Sequence, residues 1–118
     1  MTNKTVALVT GGVGGIGSAI CEEFLQKGYQ VIAAYHPAEE AHAKEKLKQW
    51  QAAGAAADII SSDVSSFASC VEMAKAVKAK HGTVQVLVNC AGITRDKTLK
   101  KMEESDWTAV MRVNLDSI

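Results

Sequence analysis

Apolar and polar positions alternate between two regimes along the chain. Val6 to Val9 is a short apolar run with no polar break, the pattern of a strand buried on both faces. Ile16, Ala19, Ile20 and Phe24 then recur at helical spacing, and Lys27-Gly28 is a helix stop. Tyr29 to Tyr35 reads as a second strand. Pro37 precedes a charged helix over about 38–53, closed by Gly54. A third strand lies within Ala57 to Ser62. Ser65 or Ser66 can cap the next helix, which runs to Lys80 with Gly82 behind it. Val84 to Val88 is the fourth strand. Asp106 begins, or lies just inside, a last helix carrying Trp107, Val110, Met111 and Leu115.

Continuous apolar strands joined by helices imply a parallel sheet covered on both faces. With right-handed crossovers and a glycine turn after the first strand, the expected order is 3-2-1-4. The expected fold class is α/β: the first half of a Rossmann-type, doubly wound sheet.

Bulk properties narrow the picture little further. One domain fits 118 residues, 47% of them hydrophobic and 22% charged. Lys plus Arg and Asp plus Glu balance at 13 each, so charge gives no reason to expect nucleic acid or an anionic membrane as partner. No apolar run reaches membrane-spanning length, and the N-terminus lacks a signal-peptide layout. Cys21, Cys70 and Cys90 are odd in number and far apart, which suits reduced thiols of a cytoplasmic protein. His36, His42 and His81 share no ligand spacing with them, and no metal is expected.

The candidate chemistry starts at Gly11-Gly12-Val13-Gly14-Gly15-Ile16-Gly17. A diphosphate needs close approach of bare backbone and the open amides of a helix start. Strand before and helix after turn this glycine run into a dinucleotide-site signal; the plainer reading is a tight turn. The second strand ends Tyr35-His36-Pro37 without the carboxylate that would hold an NAD ribose, which favours NADP(H) over NAD(H). Glu39 and Glu40 follow, and serve equally as dipole-complementing residues of a helix start. Asp63-Val64 after the third strand can meet an adenine amino group or simply start a helix. Asn89-Cys90-Ala91-Gly92 after the fourth can lie against ribose or nicotinamide, although alone it reads as a strand-ending turn. Arg95, Lys97, Lys100, Lys101 and Arg112 suit thioester phosphates, but interspersed acids favour a solvated face.

Together these segments resemble the short-chain dehydrogenase/reductase family over essentially the whole chain. Thr10-Gly11-x-x-x-Gly15-Ile16-Gly17 matches its cofactor motif and Asp63-Val64 its adenine-side pair. Asn89-Cys90-Ala91-Gly92 matches its Asn-Asn-Ala-Gly motif with Cys90 in place of the second Asn. Val113-Asn114-Leu115 matches the segment of its active-site Asn. Ala91-Gly92-Ile93-Thr94-Arg95-Asp96, Lys101-Met102 and Asp106-Trp107 are most similar to the acetoacetyl-CoA reductase branch, close to the 3-oxoacyl-carrier-protein reductases. The resemblance implies NADPH-dependent reduction of a 3-oxoacyl thioester, a homotetrameric full-length protein, Asn114 as catalytic residue and Asp96 on the substrate side.

The family's catalytic Ser, Tyr and Lys have no counterpart here. Its Tyr and Lys stand four apart on one helix face, whereas Tyr29 and Tyr35 are followed at that spacing by Ala33 and Glu39. Residues 1–118 are therefore expected to form an NAD(P)-binding domain incomplete at its C-terminus, inactive alone. The competing expectation is a non-catalytic dinucleotide-binding module.

Overall fold

The computed structural model describes residues 4–93, 100–116 and 118. Strands β1 (Val6–Thr10), β2 (Gln30–Tyr35), β3 (Ala57–Ser61) and β4 (Val86–Asn89) form one sheet in the order β3-β2-β1-β4. All three pairings are parallel, with Leu8 level with Ile32 on one side and Leu87 on the other. The expected doubly wound half-sheet is the observed one.

Helices α1 (Gly15–Gln26), α2 (Glu40–Ala52) and α3 (Phe67–His81) supply the covering layers, and α4 (Glu104–Met111) follows β4. The two-residue period of the strands sorts their side chains cleanly. Ala7, Val9, Val31, Ala33 and Tyr35 join Cys21 of α1 and Ala43 and Trp50 of α2 in one buried cluster. Val6, Leu8, Ile32 and Ala34 point the other way, onto Met73 and Val77 of α3. Both faces of the central strands are thus dry, which is why they carry no polar alternation. Each large aliphatic side chain buried in this way contributes about 1.5–3 kcal/mol.

Polar groups stitch the layers where burial stops. Trp50 Nε1 donates to Glu22 Oε2 at 3.1 Å, joining α2 to α1. On β3, Asp58 accepts from Lys80 Nζ and His81 Nε2, both at 2.9 Å, and so fastens the edge strand to the end of α3. Burial works to raise the Asp58 pKa, but those two bonds and the Ile59 N–H outweigh it and hold the carboxyl below its ordinary value.

Several boundaries differ from the sequence reading. The charged helix is preceded by a short 3₁₀ turn, Pro37–Glu39, and becomes α-helical only at Glu40. The reason is local: His36 Nδ1 accepts the Ala38 N–H, which tightens the first turn. Ser66, not Ser65, caps α3, its hydroxyl accepting from Ser69 N. Asp106 is the third residue of α4, where it completes a capping box with Glu103. The helix then widens into a π-helical turn, Arg112–Asp116. On β4, Val86 and Val88 pack into the core while Leu87 is 57% exposed.

Candidate coenzyme site

The sequence of the loop between β1 and α1 leaves its backbone in an uneven state. Gly11 takes a φ of 64°, the left-handed region that favours glycine. Beyond it, every carbonyl from Gly11 to Gly15 has a donor. Gly14 N donates to Gly11 O (3.2 Å), Cys21 Sγ to Gly12 O (3.6 Å) and His42 Nε2 to Val13 O (2.8 Å). Ser18 N donates to Gly14 O (2.8 Å) and Ser18 Oγ to Gly15 O (3.3 Å). The amides are treated otherwise. Gly14 caps α1 without a side-chain bond, and no acid stands in the first turn. Among the described residues, the N–H groups of Val13, Gly15, Ile16 and Gly17 have no partner. Acceptors are consumed and donors left over, at the positive end of a helix dipole. That is the donor set an anion requires.

The glycines here do different work. A Cβ on Gly17 would collide with the Gly11 carbonyl, and one on Gly12 would lie 2.6 Å from Ala33 Cβ, so both are needed for α1 to reach the sheet. A Cβ on Gly15 would meet nothing within 4 Å. The fold does not require glycine at that position, but a ligand lying on the loop would. The neighbouring Ile16 is 75% exposed at this mouth.

Two adjoining clefts of about 640 and 120 Å³ extend from the loop over the carboxyl ends of the strands. They share His36, Glu39, Asp63, Ile93 and Val113 as walls. Gly11, Tyr35, Val64, Ala91 and Gly92 line the smaller one, and Arg112 lines the larger. Of the expected coenzyme residues, Gly11, Tyr35, His36, Asp63, Val64, Ala91 and Gly92 line this space, while Gly12 to Gly17 line neither cleft. Asp63 Oδ1 is bound by the Ser65 hydroxyl (2.6 Å) and the Ser65 N–H (3.0 Å). The hydroxyl foremost, then the amide, hold the carboxyl below its ordinary value against slight desolvation, with His36 adding to the effect.

Other candidates stand apart. Cys90 and Asn89 are outside both walls; Asn89 is an exposed strand residue opposite Thr10. Cys21 is fully buried, its thiol pushed up to about 12 by burial first, with Cys90 and Glu22 adding; it is a packing residue. Asn114 binds the Ile93 backbone through both ends of its side-chain amide. Asp96, with Arg95 and Lys97, lies outside the described residues. Tyr35 is buried in the core although it also lines the smaller cleft, and Tyr29 packs on Phe24 with ring centroids 4.9 Å apart.

Several residues that build this site had no role assigned to them from the sequence. Thr10 Oγ1 accepts from Cys90 N (3.1 Å) and Ala91 N (3.2 Å) and reaches Val88 O (3.4 Å), so Thr10 fixes where β4 delivers its exit loop. A hydroxyl at the last position of a buried strand was the available signal. Ile93 and Val113, members of matched motifs, and Glu39, which reads as a helix-start acid, are walls of the cleft. His42 had no signal in one dimension.

A parallel half-sheet with this loop and this cleft at its switch point defines a dinucleotide-binding, Rossmann-type unit. The sequence model of the short chain dehydrogenase family matches residues 5–118, and the chain belongs to that family of oxidoreductases, whose members bind nicotinamide dinucleotides. It is 47% identical over 113 residues to an acetoacetyl-CoA reductase of Allochromatium vinosum, covering 96% of this chain and 46% of that protein. To a 3-oxoacyl-[acyl-carrier-protein] reductase of Staphylococcus epidermidis it is 36% identical, over 98% of this chain and 47% of that protein. The crystal structure of gox2181 superimposes with a TM-score of 0.91 at 28% identity, covering 98% of this chain and 45% of that one. The chain thus spans about half the length of the relatives it matches. Among the described residues no helix is long and apolar enough to cross a membrane, and no group of three or more His, Cys, Asp or Glu could hold a metal ion.

Proposed function

We propose that residues 1–118 form the coenzyme-binding domain of an NADPH-dependent reductase that converts a 3-oxoacyl thioester, acetoacetyl-CoA in the first instance, to the 3-hydroxyacyl thioester. The observation that carries the coenzyme part is the loop from Gly11 to Gly17, with its carbonyls paired and its leading amides open. Gly15 and its neighbours would seat the diphosphate, His36 the adenosine ribose, and Asp63 and Val64 the adenine. Ala91 and Gly92 would border the path towards the nicotinamide. Bound there, the nicotinamide would supply a hydride to the carbonyl carbon. The thioester part rests on the reductase names of the similar proteins. The proton donor, general acid and most substrate contacts belong to a second half of family length, with assembly into a homotetramer. Residues 1–118 alone are expected to be inactive.

NADP(H) is favoured by the absence of a carboxylate at the end of β2 and by Arg112 across the cleft. Glu39 in the wall supports the second reading, NAD(H), because a carboxylate repels a 2′-phosphate and accepts from a 2′-hydroxyl. Titrating the full-encoded protein with NADPH and NADH decides the coenzyme. Adding acetoacetyl-CoA and following NADPH oxidation decides the reaction. Turnover supports the reductase; tight binding without turnover of any 3-oxoacyl thioester supports the non-catalytic module.

A further inference from the structure

The loop's five-residue carbonyl row is paired mostly by near neighbours: Gly14, Ser18 and Cys21 all lie on the turn or on α1. One bond comes from elsewhere. His42, on the first turns of α2, spans to the Val13 carbonyl at 2.8 Å. A carbonyl only accepts, so His42 Nε2 carries a proton there. The Val13 side chain is buried and Gly14 N is held by Gly11 O, so the peptide between Val13 and Gly14 has two ties, of which His42 supplies the one on its carbonyl. Without the His42 tie that carbonyl would be held only through Gly14 N, and a tilt of the peptide could bring it nearer the open amides of Gly15, Ile16 and Gly17. A carbonyl there repels the same anion those amides attract.

Resting on the coenzyme reading above, we infer that His42 is a positioning residue for the diphosphate loop: by holding the Val13 carbonyl from α2, it keeps the turn in its anion-accepting state. Its ring sits at the protein surface, so the site is tolerant of substitution for reasons of packing. The role belongs to the hydrogen bond and acts only on ligands with a diphosphate.

The test uses His42→Met, which matches the reach of the ring and has no donor, and His42→Gln, whose amide can replace Nε2–H. Binding of ADP-ribose and of 2′-AMP, which lacks the diphosphate, is measured by calorimetry on the full-encoded protein, with the melting temperature as folding control. ADP-ribose affinity falls about three- to tenfold in His42→Met, 2′-AMP affinity stays level, and His42→Gln recovers the ADP-ribose affinity. Equal ADP-ribose affinity in His42→Met and wild type overturns the inference. So does a parallel loss of both ligands, which marks a general structural role. A wild-type protein that binds neither ADP-ribose nor NADPH overturns the coenzyme reading itself.

Discussion

Asn114 and Ile93 are joined by two opposed hydrogen bonds: Ile93 N donates to Asn114 Oδ1 at 2.7 Å, and Asn114 Nδ2 donates to Ile93 O at 2.9 Å. A side-chain amide carries both an acceptor and a donor, and so serves a backbone N–H and C=O together. It ties the π-helical turn after α4 to the loop leaving β4, beside Gly92. π-helical turns recur at functional positions in other proteins. The catalytic role that the resemblance implies for Asn114 would therefore be one of positioning, since both ends of its side chain are engaged by Ile93.

Asn114→Ala removes both bonds and Asn114→Asp sets a carboxylate oxygen against the Ile93 carbonyl. Both substitutions lower stability by about 0.5–1.5 kcal/mol, because the pair is exposed. Hydrogen exchange at the Ile93 amide reads the local effect: faster in Asn114→Ala, while an unchanged rate contradicts the pairing.

Gly15 and Gly17 separate ligand binding from folding. Gly15→Val leaves the melting temperature near that of the wild type but abolishes measurable coenzyme binding. Gly17→Ala drives a methyl group into the Gly11 carbonyl and destabilises the protein by about 3 kcal/mol or more. Thermal melts beside coenzyme titrations check both. Equal destabilisation by the two changes contradicts the distinction.

Thr10→Val keeps the volume of a buried residue and strands the amides of Cys90 and Ala91. A loss of about 1–3 kcal/mol is expected in denaturant unfolding, with Thr10→Ser close to wild type. A Val variant as stable as wild type would show that these amides find another partner.

Asp58 gives the fold an acid limb. Its folded pKa lies below the ordinary 3.8, so its contribution is complete above that value and fades as pH falls through the folded pKa. Asp58→Asn lowers stability at neutral pH and makes the profile shallower below about pH 4. Urea unfolding across that range checks it; identical slopes for the two proteins rule out the Lys80 and His81 pairing as the cause.

What could be read from one dimension was whatever depends on neighbours in sequence. Val6 to Val9 announces a strand buried on both faces, and the glycine run announces a turn opened for a ligand, because both signals are contiguous. Residues whose partners depend on register stayed silent. Thr10 meets Cys90 only because β1 pairs with β4, and Asp58 meets His81 only because β3 lies beside the end of α3. Glu39 looked like an ordinary helix-start acid until β2 carried it to the rim of the cleft. The 3₁₀ turn at Pro37–Glu39 was hidden for a related reason: it depends on the side chain of His36 folding back on its own backbone.

The most direct test of the whole account is a crystal structure of the full-encoded protein grown with NADP(H). The diphosphate is expected on the open amides of Gly15 to Gly17, with the adenosine between His36 and Asp63-Val64. A dinucleotide bound away from that loop, or one whose phosphates make no contact with the start of α1, would contradict it.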